Sequence, residues 1–347
     1  MSIYDNSKSF LSRNQKTLFA IGSFLLALIF IYLAVKDVEL QETFKLISQT
    51  NYFYAALYLI VLFCAHYTRA LRWKFLIENI KNNVSTGNLF GGLMIGYALN
   101  SALPRVGEIA RAALASKKEN ISFSATLGSI FLDRALDIIF LGFVLLIGFF
   151  FFSTSFLEKI SWINSSLIYL FIILAFCVIT IYLFAYQKRK LQKISSFIFS
   201  KISTRLEAKL SNLINRLMDG FFVFKDKKKL IAIIFQSILI YFFYAACSYI
   251  GFYFIDLKVN NWTLLDGWIV MTITSFANLI PTPGAIGSYH IIAISILKTL
   301  YGIDNNLALV YALTTHFLSY FGTASVGFVY YFAWGGSKVF VAEKNLD

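Results

Sequence analysis

Long apolar segments recur along the whole chain and are separated by shorter polar segments. The pattern predicts full membrane spans at about residues 17–35, 52–68, 121–152, 163–186, 230–255 and 306–334. Each span can cross roughly 30 Å of hydrocarbon at about 1.5 Å per residue, and helices satisfy their backbone hydrogen bonds in lipid. The predicted fold is therefore an all-α polytopic membrane protein, with about six transmembrane helices in a single integral membrane domain over residues 1–347.

Two further apolar segments, at about 87–103 and 267–300, are interrupted by Gly and Pro. The three prolines of the chain, Pro104, Pro281 and Pro283, all fall at these interruptions. We predict two broken, re-entrant segments, because non-helical backbone within a membrane is tolerated only where protein or water covers it. The alternative interpretation is that proline kinks two ordinary helices.

The order of elements is repeated along the chain: two spans, a broken segment and a further span. We therefore predict two halves, 1–160 and 161–340. Because each half has three crossings, the second half starts on the opposite side of the membrane, and the repeat is inverted. Paired broken segments in inverted halves indicate a transporter-type binding site near the bilayer midplane.

The segment 187–229 carries twelve Lys and Arg residues against three acidic residues. Its apolar residues recur every three to four positions, which predicts an amphipathic helix on an anionic membrane surface. This segment serves either as a topology anchor or in lipid chemistry. The excess of basic residues places it in the cytoplasm, and counting spans places both termini there as well. The predicted localisation is the cell membrane.

Composition supports a membrane protein and excludes a water-soluble globule. The chain is 58% hydrophobic and 14% charged, with a mean hydropathy of +0.69. Its net charge of +13 suggests nucleic acid. However, the basic residues cluster between spans, where topology and anionic headgroups account for them, so we expect no nucleic-acid partner.

Charged residues within the predicted hydrophobic zone are candidates for a binding site. They are Arg105, Glu108 and Arg111 after the first break, and Asp133, Arg134 and Asp137 in the third span. Each costs at least about 2.5–3.5 kcal/mol unless it is paired or hydrated. Arg134 lies three residues before Asp137, so these two side chains can pair with each other or with Glu108 and Arg111. The arginines either bind a phosphate bidentately or lock the helices together.

Other motifs are less specific. At the end of the second span, Arg69, Arg72, Trp73 and Lys74 are typical of an interfacial anchor. The three histidines have no cysteine or carboxylate at ligand spacing, so we predict no metal site, although His290 follows the second break. No familiar enzyme motif is present in the sequence, and we predict no catalytic residue and no cofactor.

Four short motifs occur in order along the chain. They are Arg69-x-x-Arg72-Trp73, Asn100-x-x-x-Pro104-Arg105-x-Gly107-Glu108-x-x-Arg111, Asp133-Arg134-x-x-Asp137 and Pro281-Thr282-Pro283-Gly284-Ala285-Ile286-Gly287. In these segments the chain resembles the lysylphosphatidylglycerol synthase transmembrane region family, also called flippase-like domain proteins. The chain has Asp133 where that family usually has Glu, and His290 near a position where it often has Glu.

The resemblance implies an integral membrane domain that moves or handles phospholipids, fused in some members to a cytosolic aminoacyl-transferase domain. Since the sequence ends at Asp347 without that domain, we expect a stand-alone module. It would translocate an anionic phospholipid or lipid-linked precursor through a basic, hydrated groove between the broken segments. The alternatives are a membrane-embedded transferase acting on a lipid-linked substrate and a non-transporting partner of a lipid-modifying enzyme. The predicted substrate-binding residues are Arg72, Asn100, Arg105, Glu108, Arg111, Asp133, Arg134, Asp137, Pro281, Pro283, Gly284, Gly287 and His290.

Overall fold

The computed structural model describes residues 21–22, 24–36, 39–102, 106–151, 172, 174–176, 179, 187, 226–254 and 261–336. Within these ranges the backbone forms helices and connecting turns, with no β-strand. Residues 188–225 of the predicted amphipathic segment lie outside the described residues, as does most of the predicted span 163–186. Pro104 and Arg105 lie outside them too.

The described helices are α1 (Phe24–Val35), α2 (Leu40–Ser48), α3 (Tyr52–Ile77), α4 (Thr86–Ala102), α5 (Val106–Glu119), α6 (Phe123–Phe151), α7 (Lys227–Gly251), α8 (Leu264–Thr274), α9 (Ser288–Tyr301) and α10 (Asn305–Ala333). Eight of these ten helices fall on predicted apolar segments, whereas α2 and α5 lie between them. The predicted all-helical fold is confirmed for the described part of the chain.

Two of the described helices, α3 and α7, are long and apolar enough to cross a membrane by length and composition. Helix α1 is apolar but shorter. Helices α6 and α10 each contain 29 residues, and α6 carries the charged residues of the predicted third span. The prediction of six crossings and the re-entrant placement of the broken segments stay predictions.

The chain divides into two compact units. The first, which we call the break unit, combines Met1–Leu59, Tyr97–Gly107 and Ala245–Ala324. The second, the network unit, combines Ile60–Gly96, Glu108–Tyr244 and Ser325–Asp347. Each unit takes segments from both predicted halves, and the inverted repeat stays a prediction.

The core of the network unit is apolar and closely packed. Among its fully buried side chains are Trp73, Leu76, Leu89, Ala112 and Leu132. Helix α4 is rich in glycine, and Gly91 shows why. A Cβ atom there would lie 2.4 Å from the Tyr330 ring and 2.7 Å from the Trp334 ring. The small residue therefore permits a close approach, as is common between membrane helices.

The break unit has an aromatic core. The Phe252 ring stacks on the Trp262 ring at 4.0 Å and on the Tyr311 ring at 5.4 Å between centroids. Helix α8 begins with a capping box in which the Thr263 hydroxyl and the Asp266 carboxylate bind each other's backbone N–H groups. Helix α9 ends at Gly302, which adopts the left-handed conformation with φ 65°.

Candidate functional site

Four arginines and three carboxylates form one ion-pair network in the network unit. At its centre Arg72 and Asp133 are both fully buried. Arg72 donates to Asp133 Oδ1 from Nε at 3.1 Å and from Nη2 at 2.7 Å. The Nη2 group also contacts Asp137, and Nη1 donates to the Ser237 hydroxyl at 3.1 Å. All three guanidinium nitrogens of Arg72 are therefore engaged by the protein itself.

The second oxygen of Asp133 is bound by Arg111. Arg111 Nη1 lies 3.2 Å from Asp133 Oδ2. Its guanidinium carbon lies 3.7 Å from the centre of the Trp73 ring, in a cation–π contact. The Trp73 indole N–H donates to the Ser129 hydroxyl at 2.9 Å. Asp133 is thus held by two buried arginines, one of them stacked on a buried indole.

The other members of the network are Asp137, Glu108, Arg69 and Arg134, and their exposure rises toward Arg134 and Glu108. Asp137 accepts from Arg69 and from Arg134, whose Nη1 lies 3.2 Å from Asp137 Oδ2. Arg134 Nη2 also lies 3.3 Å from Glu108 Oε1 on α5. The side chains of Arg134 and Glu108 are 35% and 28% exposed, against 16% for Asp137. The network therefore runs from a closed centre to an accessible edge, and the predicted pairing of Arg134 with Asp137 and Glu108 is confirmed.

Helix α7 contributes two groups that the sequence analysis missed. Besides the Ser237 contact to Arg72, the Tyr241 hydroxyl donates to the Asp137 backbone carbonyl at 2.7 Å. These two residues lie four positions apart on one face of a helix. Such spacing of polar groups in an apolar span was the available signal.

The interfacial-anchor interpretation is wrong for Arg72 and Trp73. Both side chains are fully buried. An anchor would hold its aromatic and basic groups at the headgroup level. Arg69 and Arg72 instead lie three residues apart and face the carboxylates of α6. Of the four residues, only Lys74 keeps a partly exposed position, with its side chain 32% exposed and its ammonium 3.8 Å from Glu78.

The second predicted break is a true interruption between two helices. Helix α8 gives way to a 3-10 turn over Ser275–Leu279, and a second short turn covers Pro283–Ala285 before α9 begins. Gly284 and Gly287 have φ values of 57° and 81°, which favour glycine. Ala285 also adopts a positive φ of 55°. The kinked-helix alternative is therefore wrong for this segment.

Neutral hydrogen bonds hold this break together. The Gly287 backbone N–H donates to His290 Nδ1 at 3.2 Å, and His316 Nε2 donates to the Gly284 carbonyl at 2.9 Å. The two imidazole rings lie 4.7 Å apart between centroids. His290 and His316 are 26 positions apart in the sequence, and the packing of α9 and α10 brings them together.

The second break lies beside the C-terminal end of α4 within the break unit. A Cβ atom at Gly284 would lie 3.5 Å from the Ser101 carbonyl oxygen, near the end of α4. At the end of α4, the Asn100 side chain accepts a hydrogen bond from the Gly107 backbone N–H in α5 at 2.7 Å. The Asn100 side chain therefore satisfies one of the free backbone donors in the first turn of α5.

The predicted substrate-binding residues thus fall into two groups. The network contains Arg72, Glu108, Arg111, Asp133, Arg134 and Asp137, and the breaks contain Asn100, Pro281, Pro283, Gly284, Gly287 and His290. Arg105 lies outside the described residues. Substrate binding by any of these residues stays a prediction.

Apolar helices that contain a buried ion-pair network define a helical membrane protein, because intramembrane charges must be paired within the protein. The chain belongs to the family described as the lysylphosphatidylglycerol synthase TM region, which matches residues 20–327. It is also similar to a UPF0104 membrane protein of Methanocaldococcus jannaschii, at 28% identity over 280 residues, which cover 76% of this chain and 81% of that relative. No solved structure matches significantly. The resemblance stated from the sequence is confirmed, and the family links the chain to lipid handling in membranes.

Proposed function

We propose that this protein translocates an anionic phospholipid or a lipid-linked precursor across the bilayer. One observation carries the proposal: a network of four arginines and three carboxylates runs from a buried centre to an accessible edge, where the Arg134 side chain is 35% exposed. A positive charge at the edge of an apolar protein attracts an anion more strongly than the same charge in bulk water. Arginine in particular recognises phosphate with two parallel N–H groups.

The accessible edge of the network is where a headgroup would first bind. Arg72 and Arg111 are at most 2% exposed at their side chains and are held by Asp133, whereas Arg134 is 35% exposed. When a lipid phosphate contacts Arg134, the guanidinium replaces part of the hydration of the phosphate. The acyl chains of the same lipid remain in the bilayer. The buried arginines support this site by holding the carboxylates of α6 in position.

The paired breaks are the second part of the proposal. Backbone that leaves the helical conformation exposes polar groups, and within a membrane it requires a cover of protein or water. The break at Pro281–Gly287 and the C-terminal end of α4, after which the first break is predicted, belong to the break unit, and Gly284 lies close to Ser101. We propose that these segments are re-entrant, that they line the hydrated route of the headgroup, and that they belong to inverted halves.

The proposed topology is multi-pass in the cell membrane, with both termini and the segment 187–229 in the cytoplasm. Lys227 lies at the exposed start of α7 and gives a labelling site. In a variant lacking the native cysteines, Lys227→Cys should react with a membrane-impermeant maleimide only after the cytoplasmic side is opened. Labelling of intact cells from outside would reverse the orientation.

Reconstitution into liposomes tests the function itself. Vesicles of phosphatidylcholine should contain traces of fluorescent phosphatidylglycerol or fluorescent phosphatidylcholine, and an impermeant quencher reports the outer-leaflet fraction. We expect the protein to accelerate leaflet exchange of phosphatidylglycerol more than that of phosphatidylcholine. Equal rates in protein-free vesicles and proteoliposomes would refute translocation.

The same preparation separates a transporter from an enzyme. Purified protein incubated with anionic lipid and an activated glycosyl or aminoacyl donor should leave the lipid unmodified. A new modified lipid would favour the membrane-embedded transferase. If neither exchange nor modification occurs, the remaining alternative is a partner of a lipid-modifying enzyme, which co-purification with such activity would support.

A further inference from the structure

Glu108 is the carboxylate that α5 contributes to the network. Glu108 lies in the first turn of α5, and its Oε1 atom is 3.3 Å from Arg134 Nη2. The other terminal nitrogen of Arg134, Nη1, is 3.2 Å from Asp137, and both residues lie on α6. One terminal nitrogen of Arg134 is therefore bound within its own helix, and the other is bound by a carboxylate from a different helix.

Burial decides which ion pair in the network can exchange its anion. Arg72 and Asp133 are fully dehydrated, and removing one partner of such a pair leaves a buried charge without compensation. Arg134 and Glu108 are 35% and 28% exposed, so water already reaches both. The attraction between partly hydrated charges is small and easily replaced. Of the ion pairs in the network, Arg134–Glu108 has the greatest combined exposure.

We infer that Glu108 is a displaceable counter-ion, whose carboxylate occupies on Arg134 the place that a lipid phosphate takes during transport. This inference rests on the proposed function and names its recognition chemistry. A carboxylate and a phosphodiester both present two oxygens and one negative charge to a guanidinium. Exchange of one for the other leaves the charge at Arg134 unchanged. The released Glu108 stays at the N-terminal end of α5, where the helix dipole favours a negative charge.

One substitution in the network is expected to raise the affinity for phosphate lipids rather than lower it. Glu108→Gln removes a competitor for Arg134, so phosphate lipids should bind more tightly. If the pair is closed about nine-tenths of the time, its loss tightens apparent binding about tenfold. Leaflet exchange should become slower, because the carboxylate no longer displaces the bound phosphate. A residue with a merely structural role would lower the melting temperature without tightening binding.

The test measures binding of fluorescent phosphatidylglycerol to the full-length protein in detergent by anisotropy. Glu108→Gln should tighten binding, and Arg134→Gln should abolish it, alone or combined with Glu108→Gln. The matched control is Glu78→Gln, because Glu78 is 24% exposed and pairs with Lys74 outside the network. It should leave binding unchanged. If Glu108→Gln folds poorly, Glu108→Asp keeps the charge but shortens the reach, and a smaller tightening is expected.

Inorganic phosphate forms the second arm of the experiment and distinguishes a lipid site from a general phosphate site. Millimolar phosphate that competes with phosphatidylglycerol, more strongly in Glu108→Gln, indicates that the headgroup alone is recognised. Unchanged or weaker lipid binding in both Glu108 variants overturns the inference, even if wild-type protein exchanges lipid normally. If wild-type protein exchanges no lipid, the proposed function fails, and the Glu108-dependent binding of phosphate still decides the inference separately.

Discussion

The two units of this protein hold their polar residues in different ways. The network unit pairs full charges, with Arg72 and Asp133 completely buried at the centre. The break unit has no comparable ion pair at its described break and uses neutral hydrogen bonds, such as those made by His290 and His316. Buried charges tolerate little change, because each one depends on its counter-charge. A backbone held by neutral bonds loses less when one bond is removed.

The largest expected effect comes from removing the central carboxylate. Asp133→Asn keeps the shape of the side chain but leaves Arg72 and Arg111 without their shared counter-charge. We expect a loss of about 3–5 kcal/mol in the free energy of unfolding, seen as a strongly lowered melting temperature in detergent and reduced expression. Glu78→Gln is the control, because it breaks an exposed pair worth about 0–1 kcal/mol. Equal melting of the two variants would contradict the comparison.

An intermediate effect is expected at the second break. Gly287 has φ 81°, and a Cβ atom there would lie 2.6 Å from Phe30 Cβ and 2.8 Å from the Ala27 carbonyl oxygen. Gly287→Ala should therefore cost about 1–3 kcal/mol of stability. Gly302→Ala is the matched control, because Gly302 also has a positive φ of 65° but no neighbour within 4 Å. The difference between the two melting temperatures isolates the close packing of α1 on the break.

The smallest effect should follow deletion of a neutral hydrogen bond in the same break. The Thr282 hydroxyl lies 3.1 Å from the Ser288 hydroxyl, and Ser288 keeps bonds to two backbone carbonyls. Thr282→Val is nearly isosteric and should cost about 0.5–1.5 kcal/mol, measured by thermal melting. A loss as large as that of Asp133→Asn would show that the neutral bonds are as indispensable as the ion pairs.

The sequence allowed part of the network to be predicted. Arg134 and Asp137 lie three residues apart on one helix, and this local spacing implies their pairing. The contact of Arg72 with Asp133 joins two helices whose relative rotation no local pattern specifies. For this reason the local pattern around Arg72 and Trp73 favours an interfacial anchor, although Arg72 is also among the predicted substrate-binding residues. The complementary spacing of Arg69 with Arg72 and of Asp133 with Asp137 was the signal that could have joined the helices.

The break was predicted in position but not in detail. Two prolines separated by one residue remove backbone donors and interrupt a helix, so an interruption at Pro281 was expected. The left-handed conformation of Ala285 is not predictable from the sequence, because alanine rarely adopts a positive φ. The proximity of His290 to His316 depends on how α9 packs against α10, which is a long-range property of the fold.

The most direct test of the central claim, that Arg134 contacts the phosphate of a transported lipid, is leaflet exchange by Arg134→Lys. Lysine keeps the charge but lacks the planar fork that bridges Glu108 and Asp137. Since Arg134 is 35% exposed, the melting temperature should change little. The account predicts that phosphatidylglycerol exchange falls severalfold while Lys74→Arg, a control at 32% exposure, exchanges like wild type. Normal exchange by Arg134→Lys and Arg134→Gln would contradict it.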